Sequence, residues 1–249
     1  MPRDPEESRL ARLPLFRGAA PDRLVEAARH ARWVRAAAGR TIIDYNDASD
    51  EVYLIVSGTV RVAVHSAAGQ EVILGDLGAG EIFGEMAAID GAARSANVTA
   101  VHNAELCALP RQAFLDLVLG DPAPGLFLLR RLVERLRLLD TRNVELAVLP
   151  VRQRLIAELL RLGRPREDGA LSVSPPPVQH VLAARIGARR EAVSRELAQL
   201  GRDGLAVAGR QSILLPAPEA LRTEMRAALT GQTPPRPAKP RHGAPKPGL

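Results

Sequence analysis

Between Gly39 and Leu109, apolar and polar residues alternate in short runs, a period of two that sets this stretch apart from the rest of the chain. Val52-Tyr53-Leu54-Ile55-Val56 and Val60-Arg61-Val62-Ala63-Val64 are typical, and Gly58, Gly69, Gly75, Gly78 and Gly80 punctuate them. A strand sends successive side chains to opposite faces, so such runs predict short strands and the glycines predict turns. Many short strands of this kind predict a β-sandwich or jelly roll, with hairpin turns at Ser57-Gly58 and Ala68-Gly69. Residues 8–34 instead mix apolar and charged positions at helical spacing and predict short helices.

From about Arg111 the period is helical again. Leu129, Leu132, Leu136, Leu139, Asn143 and Leu146 recur at alternating steps of three and four, which predicts a coiled-coil seam and a parallel homodimer. A single polar residue such as Asn143 at a seam position fixes register and oligomer state. The competing reading packs the same stripe onto the helix's own domain. Pro150 cannot extend that helix but suits the first turn of the next, so Val148-Leu149-Pro150 predicts a hinge. Residues 151–163 form a further amphipathic helix, and Ser174-Pro175-Pro176-Pro177 an extended connector. Beyond it the pattern predicts a helix, a turn at Gly187, a second helix from about Arg189 to Arg202, and two short strands turning near Gly209-Arg210. That order is a winged helix-turn-helix. The expected fold is α+β: an N-terminal β jelly roll over 1–121, a long dimerisation helix and hinge over 122–149, a winged helix-turn-helix over 150–230, and a tail over 231–249.

Composition narrows the picture. A chain of 249 residues holds two domains of ordinary size. No apolar run approaches the roughly 18 residues of a membrane span, and the charged N-terminus has no apolar core of a secretory signal. The expected setting is the cytoplasm, with no membrane partner. One cysteine, Cys107, excludes an internal disulfide and a multi-cysteine metal site. The histidines lack ligand spacing, and no nucleophile–base pair stands out, so neither a metal nor an enzyme activity is expected. Of the net charge of +6, Arg236, Lys239, Arg241 and Lys246 supply +4 in a tail without acids. Rich in Pro and Gly, that tail is expected to be disordered, either as a solubilising extension or as an electrostatic arm for nucleic acid.

Candidate chemistry gathers at residues 80–100, GEIFGEMAAIDGAARSANVTA. Gly84-Glu85 and Arg94-Ser95-Ala96 flank an apolar turn. Arginine pairs bidentately with phosphate, short turns with exposed N–H groups form anion nests, and one carboxylate can take a ribose hydroxyl. Phe83, Gly84, Glu85, Met86, Ala87, Arg94, Ser95 and Ala96 together resemble the phosphate-binding cassette of cyclic-nucleotide-binding domains.

The second chemical site is the helix after Gly187. Arg189, Arg190, Glu191, Ser194 and Arg195 share one face, while Ala192, Val193, Leu197 and Leu200 supply the buried side. Arginine is bidentate to guanine and glutamate accepts from cytosine N4, so a carboxylate among arginines points to base readout rather than plain phosphate contact. The bland alternative is a solvated helix held by a Glu191–Arg195 pair. Gly187-Ala188-Arg189-Arg190-Glu191-Ala192-Val193-Ser194-Arg195 resembles the recognition-helix signature of the Crp/Fnr family of bacterial transcription regulators, and the resemblance extends over roughly residues 10–220. It implies a homodimer binding double-stranded DNA, with RNA polymerase as a further partner. It also implies that Arg190, Glu191 and Arg195 read a palindromic site of TGTGA type, although Ser194 is shared with members that read TTGA. Gln179 falls where the family often contacts phosphate, and Val178 stands where it often has a Ser or Thr cap, a loss of about 1 kcal/mol.

The resemblance further implies a cyclic nucleotide, cyclic AMP or cyclic GMP, as allosteric ligand. Arg135 matches a family arginine beside the ligand. Where family members gated by cyclic AMP carry a Thr-Ser pair on the long helix, this chain has Leu139 and Asp140. Asp140 can accept one bond from adenine or two from guanine, or it can be a solvated charge, with Thr141 reaching the base in its place if the register shifts by one. Two alternatives stay open: a regulator of the same fold sensing redox state through Cys107, haem or another small molecule, and a cyclic-nucleotide module controlling an enzyme or channel.

Overall fold

The computed structural model describes residues 5–66 and 69–230. It divides into two compact units, Met1–Leu139 and Asp140–Leu249. The predicted tail over 231–249 and Ala68 lie outside the described residues.

The first unit opens with helix α1 (Pro5–Leu10), a short turn at Pro14–Phe16 and α2 (Pro21–His30). Eight strands follow: β1 (Arg32–Ala36), β2 (Thr41–Ile43), β3 (Val52–Ser57), β4 (Thr59–His65), β5 (Glu71–Gly78), β6 (Ile82–Phe83), β7 (Asn97–Ala100) and β8 (Ala104–Leu109). Helix α3 (Glu85–Asp90) interrupts them between β6 and β7, and α4 (Arg111–Gly120) and α5 (Pro122–Val148) come after. The strands form two antiparallel sheets, ordered β1-β8-β3-β6 and β2-β7-β4-β5. This is the jelly-roll layout that the period-two alternation predicts.

β3 shows why its sequence is so uniformly apolar: it is covered on both faces. Tyr53 and Ile55 point between the sheets, into a core with Val60, Phe83, Val98 and Leu106. Val52 and Leu54 point the other way, onto a helical layer with Leu24, Phe114, Leu117 and Leu128. A strand buried on both sides reads as a continuous hydrophobic run.

Several expectations need correction. The helical pattern assigned to 8–34 ends at His30, and residues 32–34 belong to β1. Ser57-Gly58 is not a hairpin turn, because β3 and β4 lie in different sheets. It is the corner at which the chain crosses between them. Gly58 is obligatory there: its φ is +87°, and a Cβ would lie 2.3 Å from the Asn103 carbonyl oxygen. The β4–β5 hairpin, by contrast, runs from Thr59 opposite Gly78 to His65 opposite Glu71, with one shift of register between Val62 and Ala63.

The long helix α5 divides its apolar residues between two jobs. Leu128 is buried in the helical-layer core, and Leu132, one turn on, packs against it. Leu132 therefore leaves the predicted seam. The exposed apolar stripe runs instead through Leu126, Leu129, Val133 and Leu136, which keep steps of three and four and continue in register to Asp140 and Asn143. Leu139 and Leu146 are also exposed. No single helix among the described residues is long and apolar enough to cross a membrane.

The second unit holds the end of α5 and then α6 (Val151–Leu162), β9 (Arg164–Pro165), β10 (Leu171–Val173), α7 (Gln179–Ile186), α8 (Arg190–Arg202), β11 (Val207–Ala208), β12 (Ile213–Leu215) and α9 (Pro218–Thr230). The helix-turn-helix is α7–α8, and β11–β12 is the wing. Sequence reading did not resolve β9 and β10, which extend the wing into a four-stranded sheet ordered β11-β12-β10-β9, nor α9. Leu155, Ile156, Leu159, Leu182, Ile186, Val193, Leu200 and Leu221 fill the core. Pro150 is the N-cap of α6, one residue before the first turn in which the sequence places it; α5 ends at Val148 and Leu149 between them is buried.

Candidate ligand pocket and nucleic-acid interface

Phe83 ends β6, paired with Tyr53 of β3, and their rings stack 5.0 Å apart. Gly84 then turns the chain into α3 with φ +82°. A side chain there would collide with two neighbours, since its Cβ would sit 2.7 Å from Arg94 Nη1 and 2.8 Å from the Glu51 carbonyl oxygen. The glycine lets the backbone close around a guanidinium. The cap supplies no side-chain bond to the first turn of α3, whose N–H groups have no acceptor within the helix.

Arg94 is 3% exposed and Glu85 is 2% exposed. The Arg94 guanidinium donates from Nε to Ser49 Oγ at 3.0 Å, from Nη1 to the Gly84 carbonyl at 2.9 Å and from Nη2 to the Glu51 carbonyl at 2.8 Å. All three acceptors are neutral. A buried guanidinium whose hydrogen bonds all go to neutral acceptors is a natural receptor for an anion. The Glu85 carboxylate is already engaged, taking a hydrogen bond from Arg135 Nη1 of α5 at 2.9 Å. Ser95 donates weakly to Met86 Sδ, 3.6 Å away, and Ala96 is buried.

Gly84, Glu85, Met86, Arg94, Ser95, Ala96 and Arg135 all line one cleft of about 360 Å³, part of it open to solvent. Ile43, Val62, Phe83 and Val98 give it an apolar wall. Seven of the eight residues expected at the ligand site are thus brought together. The eighth, Asp140, is exposed on α5 and is not among the lining residues. A larger cleft, about 520 Å³, lies between α2 and α4; it holds none of the expected ligand residues.

The loop carrying Ser49 and Glu51 was not singled out by sequence reading. The Glu51 carboxylate accepts two bonds from Arg32 Nη2, at 2.7 and 2.9 Å, and one from the Tyr53 hydroxyl at 2.9 Å. Burial raises the Glu51 pKa, but those bonds outweigh it and hold the carboxyl below its usual range. Burial first, and the adjoining carboxylate second, push the Tyr53 phenol up to about 12. Among the described residues, no group of three or more His, Cys, Asp or Glu side chains could hold a metal ion.

In the second unit, Gly187 closes α7 at φ +59° and directs the chain into α8. Val178 caps α7 without a side-chain bond, as its sequence implies. Val193 and Leu200 are fully buried, while Ala192 and Leu197 are only half-buried. Arg189, Arg190, Glu191 and Arg195 are exposed and Ser194 half-buried, so the expected polar face is presented at the N-terminal end of α8. Among the described residues Glu191 and Arg195 make no ion pair with each other. Gln179, half-buried, is the first residue of α7.

Residues 33–121 match the cyclic nucleotide-binding domain family, and residues 153–224 match the Crp-like helix-turn-helix domain family. The chain is 35% identical over 192 residues to a cyclic AMP receptor protein of Thermus thermophilus, covering 77% of this chain and 87% of that one. It is 28% identical over 215 residues to a CRP-like cAMP-activated global transcriptional regulator of Mycobacterium tuberculosis, covering 85% and 96%. Its fold is similar to that of a c-di-GMP responsive global regulator of Xanthomonas campestris, with a TM-score of 0.65 and 23% identity over 79% of this chain and 99% of that one.

Proposed function

The chain belongs to the Crp/Fnr family of transcription regulators, and from that membership we propose a homodimeric regulator whose grip on DNA is switched by a cyclic mononucleotide. The family gives it a DNA-binding winged helix-turn-helix and a cyclic nucleotide-binding domain. The observation that carries the ligand reading is the buried Arg94 guanidinium, held by neutral acceptors and facing a cleft of nucleotide-phosphate scale. The ligand's phosphate is taken by Arg94 with the amides around Gly84, Ser95 and Ala96, and its ribose by Glu85, which Arg135 orients.

Cyclic AMP is favoured by the relatives named for it. Cyclic GMP is favoured by Asp140, whose carboxylate suits the two donors on the guanine edge. Asp140 shares the exposed stripe of α5 with Leu136 and Asn143, so in a dimer it faces the partner helix. Arg190, Glu191, Ser194 and Arg195 read base edges of a palindromic TGTGA-like site, while Arg189 and Gln179 contact the backbone. RNA polymerase is the further partner.

Calorimetric titration with cyclic AMP and cyclic GMP tests the ligand. The protein is expected to bind at least one, and Arg94→Ala to weaken it by about 100-fold or more, the worth of two charge-assisted bonds, with its circular dichroism unchanged. Undiminished affinity in that variant would contradict the phosphate assignment. A second reading, a different effector in the same fold, draws on the absence of the hydroxyl pair at Leu139-Asp140. Sensing through Cys107 is the weaker form of it, because that thiol is fully buried in β8.

A further inference from the structure

We infer that Ser49 is a positioning residue for phosphate recognition, its hydroxyl aiming the Arg94 guanidinium into the cleft. This rests on the ligand reading above.

The 44–51 loop reaches Arg94 at every level of its structure. The Arg94 amide donates to the Asp47 carbonyl at 3.0 Å, and the Asn46 amide donates to the Arg94 carbonyl at 2.9 Å. Asn46 sits in the left-handed region at φ 66°, a conformation asparagine tolerates better than most side chains. The backbone of Arg94 is therefore pinned by the loop, and the loop then reaches up to the guanidinium with Ser49 Oγ and the Glu51 carbonyl. Ser49 is itself steadied by its amide, which donates to Asp47 Oδ1 at 3.3 Å.

Of the guanidinium's acceptors, Ser49 supplies the one that comes from a side chain. It also engages Nε, the nitrogen nearest the aliphatic stem, and so fixes the rotation of the whole planar group. A guanidinium has five N–H donors in a rigid fork. Three are used here, leaving one on each terminal nitrogen, the paired arrangement that suits two phosphate oxygens. A hydroxyl performs this orientation without neutralising the cation, so the charge remains available to the ligand. Chain distance explains why sequence reading passed over Ser49: it lies 45 residues from Arg94, outside any local motif.

The test uses the full-length protein and the two phosphorothioate diastereomers of cyclic AMP and of cyclic GMP, in which sulfur replaces one or the other exocyclic oxygen. A fixed guanidinium favours one diastereomer. Ser49→Ala is expected to lower affinity for the parent nucleotide about tenfold, the worth of one hydrogen bond to a charged group, and to narrow the preference between diastereomers. Ser49→Thr, which keeps the hydroxyl, restores both. Ser49→Cys, close in size with a far weaker acceptor, gives the same readout where the alanine variant is too unstable to titrate. An unchanged diastereomer preference in the alanine and cysteine variants would overturn the role, whether parent affinity holds or falls equally for both forms. A wild-type protein that binds none of these probes would overturn the ligand reading itself, and this role with it.

Discussion

Around Arg94, charge and hydrogen bonding are separated: the three bonds its guanidinium makes go to oxygens that carry no formal charge, and the nearby Glu51 carboxylate acts on it only through space. The neighbouring Glu51 keeps its carboxylate turned toward Arg32 and Tyr53. That arrangement has a measurable signature in alkali. The Tyr53 phenol is raised to about 12, from 10.0, by burial and by Glu51, so the folded state holds this proton more tightly than the unfolded chain. Its contribution to stability is complete below pH 10 and is lost as pH climbs from there toward 12. Because the chain has two tyrosines, a Tyr45→Phe variant isolates Tyr53, and its absorbance titration is expected to show a midpoint near 12. A midpoint near 10 would mean that the Tyr53 phenol is neither buried nor held by Glu51 as described. Gly84, Glu85 and Arg94 were legible in sequence because a tight turn, a carboxylate and a guanidinium crowd into one short segment. Ser49 and Glu51 were not, because their partner lies beyond any local period.

Among the elements, α5 carries the most consequence. Its buried side, through Leu128 and Leu132, belongs to its own unit. Its exposed side presents Leu126, Leu129, Val133 and Leu136, a row of the spacing that two parallel helices bury against each other. Sedimentation equilibrium is expected to show a dimer that Leu136→Lys dissociates. Asn143→Leu is expected to tighten it, since a polar seam residue trades stability for register; a monomer at every concentration, or no response to Leu136→Lys, would contradict the seam. Spacing alone placed Leu132 on that seam wrongly, because three-and-four periodicity does not say which of two neighbouring faces the home domain takes. The same limit explains Ser57-Gly58: turn chemistry marks a reversal but not whether the next strand rejoins its own sheet. β9, which ends in Pro165, and β10 are too short to show a period, whereas α9 had a readable one in Leu221 and Met225.

Where α5 meets the DNA-binding helices, a single buried carboxylate gathers three cations. Glu158 of α6, 1% exposed, pairs with Arg161, with Arg185 of α7 at 3.2 Å and with Arg142 of α5 at 3.8 Å. Arg161 also holds Glu145 of α5 at 2.7 Å. Burial lowers the Arg142 pKa, and Glu158 opposes that shift. Buried pairs of this kind contribute little net stability, yet they penalise rearrangement, because a geometry that strands one charge is costly. The end of the long helix is thereby tied to the first helix of the DNA-reading pair across the Leu149–Pro150 break. In the proposed mechanism the nucleotide acts only through its unequal affinity for two arrangements of the dimer. The decisive measurement is operator affinity, read by fluorescence anisotropy at fixed salt, with and without cyclic AMP and cyclic GMP, for wild type and Arg94→Ala. The account predicts that at least one nucleotide tightens wild-type binding by about fivefold or more and leaves Arg94→Ala unmoved. Equal affinity in the presence and absence of both nucleotides, in a wild type that binds them, would contradict it.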